Sequence, residues 1–537
     1  MKETTLDSSL DSILIKLGDF GRYQKYVFTL VCVAVVMHSM AHIAFVFSAM
    51  DIDYRCKIPD CDLAESQYNQ PWLNKAIPFK KGRPEKCLMY VPSAIDSKNC
   101  STFNSDVIEK CDQFVYSEME DSILKEFNLQ CENNLWKLAM VGTVNNLGQF
   151  FGMMISGIVS DRYGRKMQLI WSLVLCSLCG CIKALMPTYE LFLIFEFLDA
   201  GFGCGSYISA FIIGVELVGP NKRVLTGTLI SSSYPVGEVL VALAAWMAKS
   251  WKLTLFICYI PPFVLISYTW LIPESIRWNI SKGRIHDAKD TLRKIAKVNG
   301  THISESDLAV LDSAVADLTH CTKTSLNSDS VLMAALKSKT LMFRFMACCV
   351  SWMTCTFLFY GLTFNSVSLV AGNKYLDFIL TALIEIPAYF VCNIVIEKYG
   401  RKKTLIISYL LTGSVCFAFI FIPPAARWDR LIVYLLGKFG ATMSFTTLYI
   451  ISSEMFPTSL RNSFMGTCST LGRCGSMLAP QTPLLATIWE PLPLISFVVM
   501  SGIAAVLTLI FPETLHKKLP DTVKEAENIK LAPMVQY

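Results

Sequence analysis

Apolar residues in this chain gather into twelve runs of membrane-spanning length, set apart by polar turns or longer polar segments. The runs fall at 26–49, 138–159, 167–186, 190–213, 225–248, 253–272, 341–361, 376–396, 404–423, 431–453, 463–487 and 492–511. A bilayer core of about 30 Å is crossed by about 20 residues of helix. Lipid offers no partner to an open backbone, so each run predicts a transmembrane helix. They divide six and six. A first half at 26–272, which includes a polar loop at 50–135, is separated from a second half at 341–511 by a polar linker at 273–340. Residues 1–25 and 512–537 are polar ends. Within the linker, 285–298 has apolar residues at helical spacing between lysines and arginines, which predicts short amphipathic helices. Thr322 to Ser330 reads as a flexible polar stretch.

Two of the polar turns carry one phrase. Gly157-Ile158-Val159-Ser160-Asp161-Arg162-Tyr163-Gly164-Arg165-Lys166 is echoed by Asn393-Ile394-Val395-Ile396-Glu397-Lys398-Tyr399-Gly400-Arg401-Lys402-Lys403, with 236 residues between Asp161 and Glu397. Glu216…Arg223 returns as Glu454…Arg461, and Pro273-Glu274-Ser275 as Pro512-Glu513-Thr514, at nearly the same offset. A repeat of half the chain's length in an apolar sequence implies two like domains facing each other across a central path, the plan of a secondary transporter.

Composition supports this. The chain is 53% hydrophobic and 17% charged, which excludes an ordinary soluble enzyme. Cations decide orientation better than the net charge of +5 does. Arg22, Lys25, the Arg162/Arg165/Lys166 turn, Lys222, Arg223, the linker and the Lys398–Lys403 turn fall on one side, so both termini are expected in the cytoplasm and the 50–135 loop outside. No cleavable signal is evident, and the first span is expected to serve as an uncleaved anchor. The loop holds Cys56, Cys61, Cys87, Cys100, Cys111 and Cys131, an even set that suggests three disulfides among fifteen possible pairings. Asn99-Cys100-Ser101 is a glycosylation sequon in the same loop. Cys176-x-x-Cys179 lies inside the third run, where helix packing is the better reading.

In the repeated turn, Gly157 and Gly164 would let helices and a tight turn approach closely. Asp161 sits at a helix end, and Arg162 and Arg165 can bond an acid or a helix C-terminus on a neighbour. A charged latch of this kind would stabilise one conformer of a rocking molecule. The plainer reading is a turn that only sets orientation; a second copy at the matching position favours the latch, built from Asp161, Arg162, Arg165, Glu216, Arg223 and Glu274 and their counterparts Glu397, Arg401, Glu454, Arg461 and Glu513.

Gly157 to Lys166 resembles the signature loop of the major facilitator superfamily. Pro273-Glu274-Ser275-Ile276-Arg277-Trp278, the cysteine-bearing loop and Ile384-Glu385-Ile386-Pro387-Ala388-Tyr389 resemble, more narrowly, the organic cation, anion and zwitterion transporters of solute carrier family 22. Leu436 to Gly440, Ser453 to Thr458 and Ser469 to Arg473 are most similar to its carnitine-type cation transporters, and Gly214 to Pro220 also looks like insect members that carry small amines and amino-acid conjugates. The resemblance implies an all-α membrane protein of major facilitator fold, with twelve transmembrane helices in two pseudo-symmetric six-helix halves and a cysteine-rich extracellular loop. It implies a carrier of small organic cations or zwitterions, such as carnitine, carcinine or β-alanine, in the plasma membrane.

Ionisable groups inside spans are costly and mark candidate sites. Glu385 lies in the middle of span eight just before Pro387, and resemblance places it among the family's cation-recognising positions. Arg473 lies within span eleven, where the family's cation-selective members tend to carry an acid and its anion or carnitine carriers an arginine. An acid and a guanidinium facing one cavity suit a zwitterion; the alternative is a structural bridge between the two. Glu196 and Asp199 in span four, one helical turn apart on one face, stand where the superfamily commonly has arginine. They read as a cation-attracting wall, with a proton or metal-cation role as the alternative, and Lys438 in span ten as the group that neutralises one of them. Glu238 in span five and Asp377 in span eight are further candidates for the path. Trp352, Phe359 and Tyr360 in span seven and Tyr207 in span four could hold an ammonium by cation–π contact, about 0.5–2 kcal/mol each; resemblance raises Trp352 and Phe359. His38 and His42 are at metal-binding spacing, but no third ligand is apparent, so cavity lining or helix–helix hydrogen bonding is expected. No phosphate loop or nucleophile elbow supports enzyme chemistry, and neither a metal, a cofactor nor a nucleic-acid partner is implied. The expected partners are a small organic cation or zwitterion, membrane lipid and a coupling ion that the sequence does not identify. An organic-anion exchanger is the nearest alternative, and a non-transporting receptor using the cysteine-rich loop a more distant one.

Overall fold

The computed structural model describes residues 3–58, 61–62, 67–80, 83–92, 103–117, 120–304, 307–308, 333, 335–369, 373–458, 460–517, 519–520 and 522–529. Helices occupy all twelve apolar runs. In order they are Arg22–Ser48, Leu135–Tyr163, Arg165–Lys183, Tyr189–Glu216, Arg223–Ala248, Trp251–Tyr259 with its continuation to Leu271, Lys339–Leu369, Lys374–Tyr399, Arg401–Ile420, Arg427–Met455, Arg461–Leu478 and Leu492–Thr508. They are called spans one to twelve below.

By length and hydropathy alone, nine of these among the described residues would cross a membrane. The shortfall from twelve has a physical reason. Span two carries Asn145, Asn146 and Gln149, and span eleven carries Arg473, so each dilutes its apolar face with groups that point into the bundle. Span twelve is apolar but has 17 residues.

Proline breaks two spans. Span six gives way to a 3-10 turn over Pro261–Ser267, because Pro261 and Pro262 have no N–H to continue the ladder. Span eight is interrupted at Ile384, between Lys374–Leu383 and Glu385–Tyr399. Pro387 cannot donate to Leu383, four residues earlier, so the helix is weakened at the turn that carries Glu385.

Helix neighbours repeat between the halves. Spans three and four pack together, as do nine and ten; spans one and five pack as do seven and eleven. The halves meet along spans two and eleven and along spans five and eight, two contacts that one twofold exchange would interconvert.

The loop after span one departs from the all-α expectation. Its described residues form three two-stranded antiparallel pairs, Tyr54–Cys56 with Phe114–Tyr116, Phe79–Lys80 with Arg83–Pro84, and Leu88–Pro92 with Phe103–Lys110. A loop with so little apolar volume is held by cross-links instead: Cys56 bonds Cys111 and Cys87 bonds Cys131, and Cys61 is disulfide-bonded too. Arg55, fully buried, grips Asp62 with two nitrogens at 2.7 and 2.8 Å. Asn99 and Cys100 lie outside the described residues, as does Thr322 to Ser330.

Both polar ends dock. Residues Glu3–Lys16 form a helix that buries Leu10, Ile13 and Leu14 and places Asp11 against Arg223 and Arg277. In the linker, Ile285–Asn299 is the amphipathic helix expected there, burying Ala288, Leu292, Ile295 and Ala296 on one face. Val523–Glu527 lies under span seven, where Arg344 donates to the Ala526 carbonyl at 2.7 Å.

Candidate functional site

Three groups of charged side chains meet inside the bundle. The first lies where span five meets span eight. Glu385 is fully buried, and Lys438 of span ten reaches it at 2.8 Å. Span seven positions that lysine: its Nζ donates to the Phe359 carbonyl at 3.2 Å and to Thr363 Oγ1 at 2.6 Å, and sits 3.4 Å from the centroid of the Phe359 ring. Across the seam, Glu238 of span five, also buried, faces Glu385. No hydrogen-bond donor meets either Glu238 oxygen.

Arg473 forms the second group. Gly472 and Gly475 let span eleven lie against the backbone of span seven, where a Cβ on Gly475 would come within 1.9 Å of the Met353 carbonyl oxygen. Arg473 reaches into the space between spans two and seven. It donates to Gln149 Oε1 at 2.9 Å and Tyr360 OH at 3.2 Å, and its Nε lies 3.3 Å from Met153 Sδ. Every one of these partners is neutral. The expected alternative of a Glu385–Arg473 bridge is not what forms; Glu385 takes Lys438.

Gln149 continues inward to a polar array. It bonds His42 and Asn145, His42 bonds Tyr234 of span five, and His38 bonds Ser206 of span four at 2.8 Å. The histidines thus serve as helix–helix links. A void of about 10 Å³, space for about one water, lies among His38, His42, Gln149 and Asp199.

The third group corrects the reading of span four. Glu196 and Asp199 do not form an open acidic wall, and Lys438 is not their partner. Lys183 of span three is fully buried between them, 2.7 Å from Glu196 and in contact with Asp199. Asn145 donates to Glu196 at 2.7 Å and the Tyr259 hydroxyl to Asp199 at 2.9 Å. Sequence reasoning passed over Lys183, Asn145, Gln149 and Tyr259. Lys183 had a signal: a cation inside an apolar run must find acids, and span four supplies two.

The aromatics divide by role. Trp352 is buried against Tyr449, ring centroids 4.5 Å apart, and packs rather than faces a space. The Phe359 ring is covered by Lys438, Tyr360 meets Arg473, and Tyr207 bonds Ser231 beside His38 and Tyr234. Asp377 lies 3.8 Å from Arg427 near the loop end.

The repeated turns form matching clusters at the opposite end. Gly164 and Gly400 have φ of +104° and +92°, and a Cβ at either would strike a carboxylate, Glu274 or Glu513. Each acid caps the helix that begins there. Glu274 accepts from the backbone of Arg165 at 2.9 Å and Lys166 at 3.1 Å; Glu513 accepts from Arg401 at 2.9 Å and Lys402 at 3.2 Å. Ser275 bonds Glu216, and Thr514 bonds Glu454 at 2.6 Å. The copies then diverge. Arg165 pairs with Asp161 at 2.9 Å, whereas Arg401 pairs with Glu454 at 3.1 Å and leaves Glu397 exposed. Arg162 lies over Tyr163 on the surface, Arg223 bonds Asp11, and Arg461 opens span eleven. Gly157 makes no close approach: a Cβ there would meet nothing within 4 Å.

These clusters stay within their own halves. Contacts between the halves crowd the loop end instead. Phe45 meets Phe364 at 5.1 Å, Phe47 meets Phe378 at 5.0 Å, and Lys374 bonds Glu120 of the loop at 2.9 Å. Toward the latch end, Asn393 donates to Thr228.

Comparison with known proteins fits this architecture. Residues 101–523 match the family described as Sugar (and other) transporter. The chain is 30% identical over 542 residues to solute carrier family 22 member 3 of Mus musculus, covering 97% of this chain and 96% of that protein. It is likewise 30% identical over 536 residues to the organic cation transporter protein of Drosophila melanogaster, covering 98% and 96%. Among solved structures, the xylose transporter XylE from E. coli in its inward-open conformation is similar with a TM-score of 0.59 at 16% identity, covering 95% of this chain and all of that one. At that identity the likeness shows the fold, that of the major facilitator superfamily.

Proposed function

The chain belongs to solute carrier family 22 within the major facilitator superfamily, and from that premise we propose that this multi-pass membrane protein carries small organic cations or zwitterions across the plasma membrane by alternating access. It is a transporter and not an enzyme. The observation that carries the reading is the arrangement at the seam between the halves. There Lys438 pairs with Glu385, a second buried acid, Glu238, faces the same carboxylate, and Arg473 bonds the neutral Gln149 and Tyr360. An ammonium suits the acids, and a carboxylate or other acceptor suits the arginine. In this structure Lys438 and Gln149 hold those places, so a solute would bind by exchanging partners rather than by stripping charges bare.

Alternating access would work through the end contacts. Parting of Phe45, Phe47 and Lys374 from their partners opens the loop end, taken as extracellular. Opening at the other end parts Asn393 from Thr228, with Gly164/Glu274 and Gly400/Glu513 keeping each half rigid while it rocks. Uptake of labelled carnitine, a β-alanine or histamine conjugate, tetraethylammonium and p-aminohippurate in expressing cells tests the reading. Cation or zwitterion uptake is expected. Uptake of p-aminohippurate alone would favour the second reading, an organic-anion exchanger, for which the neutral surroundings of Arg473 speak. No uptake of any of them despite surface expression would leave a receptor.

A further inference from the structure

Where span five meets span eight, the seam between the halves holds more buried negative than positive charge. Glu238 and Glu385 come from opposite halves, both are buried, and the lysine at the seam, Lys438, pairs with Glu385 and leaves Glu238 without a donor. With both carboxylates ionised, the cluster would hold one uncompensated negative charge away from water, a state that burial strongly disfavours. The neighbours do not cancel it. Span four brings Tyr207, span five Tyr234, span seven Tyr360 and span eight Tyr389 toward the pair, phenols that supply no positive charge. His38 and His42 of span one lie behind Tyr234, and Arg473 is engaged by Gln149 and Tyr360. Among the described residues no group of three or more His, Cys, Asp or Glu is placed to hold a metal ion.

Two facing carboxyl groups without a donor between them attract only when one carries a proton. Glu238 has no such donor from any other residue. We infer that Glu238 and Glu385 share one proton when no solute is bound, and that the cationic group of an arriving solute displaces it, making the protein an organic cation–proton exchanger. The inference rests on the cation-transporter reading and adds its driving ion. Its balance is simple. One O–H bond breaks, one proton leaves for whichever side is open, and one organic cation takes its place beside the two carboxylates. Lys438 keeps its place beside Glu385, and the net charge of the cluster is the same with proton or solute. The pair lies in the seam, so opening at either end exposes it.

The full chain, purified and placed in liposomes holding a pH-sensitive dye, tests this with labelled tetraethylammonium. Uptake should be accelerated by an acidic lumen and should make the lumen more alkaline. Glu238→Gln leaves one carboxylate with one lysine, so the stimulation by the gradient and the lumen response should both be lost. Uptake with no lumen response, or a Glu238→Gln variant that remains coupled, overturns the exchange and leaves the cation transporter standing. Absence of any uptake by the wild-type protein sinks both. Infrared spectra of the wild-type protein in detergent need no variant to fold. A protonated-carboxyl band that falls when tetraethylammonium is added supports the shared proton, and an unchanged or absent band refutes it.

Discussion

At the scale of single residues, buried charge is the feature that organises this protein. Lys183 illustrates it: fully buried with Glu196 and Asp199 on either side, it cannot be removed alone. Lys183→Met should cost about 3–5 kcal/mol because it leaves acids uncompensated. Thermal unfolding in detergent should show a large loss for the single variant and partial recovery when Asp199→Asn is added; equal loss in both would mean the lysine acts only through packing. Glu385 and Arg473 are predicted to separate by substrate. Glu385→Gln should reduce tetraethylammonium uptake more strongly than Arg473→Lys does, since that solute has no carboxylate for the arginine. Equal losses would make both residues structural. Identifying Glu385, Arg473 and the span-four acids needs only a charge inside an apolar run. Their pairings were not legible, because the identity of a partner depends on which helix faces which.

At the scale of elements, the two latch turns show how a short motif builds a rigid corner. Gly164 and Gly400 each supply a left-handed residue and room for a carboxylate that caps the next helix. Gly164→Ala combines an unfavourable φ with a clash against Glu274, so a loss of about 1–3 kcal/mol is expected. Gly157→Ala, with open space around it, should stay within about 0.5 kcal/mol. Parallel melting curves of the two variants check this, and a similar loss at Gly157 would return it to the latch. The repeat was readable because similar turns recur at nearly the same offset. The divergence of Asp161–Arg165 from Arg401–Glu454 was not, since both arginines have two acids within reach and local rotamers choose between them.

At the scale of the whole molecule, the contacts between halves are unevenly placed. Aromatic pairs and the Lys374–Glu120 bridge gather at the loop end, while the charged latch clusters at the other end bind within their own halves. The bridge is partly exposed, so its contribution is about 0.2–1 kcal/mol, enough to change a two-state population by up to about fivefold. Lys374→Ala and Glu120→Gln should each lengthen the distances between spin labels placed at the loop end of the two halves. An unchanged distribution would show that the bridge does not bias opening.

Hydrophobic run length, the repeated turns and the cysteine-bearing loop determined the helical membrane fold, its twofold plan and the ends of most spans, because lipid leaves backbone one solution and duplication writes its own symmetry. Spans two and eleven were read from the same pattern even though their polar faces lower their hydropathy. What the tertiary structure alone decided was the wiring of charge: Lys183 to the span-four acids, Lys438 to Glu385, Arg473 to Gln149, and Glu238 across the seam. Those partners lie on different helices, and no spacing along one chain specifies the rotation and depth at which two helices meet.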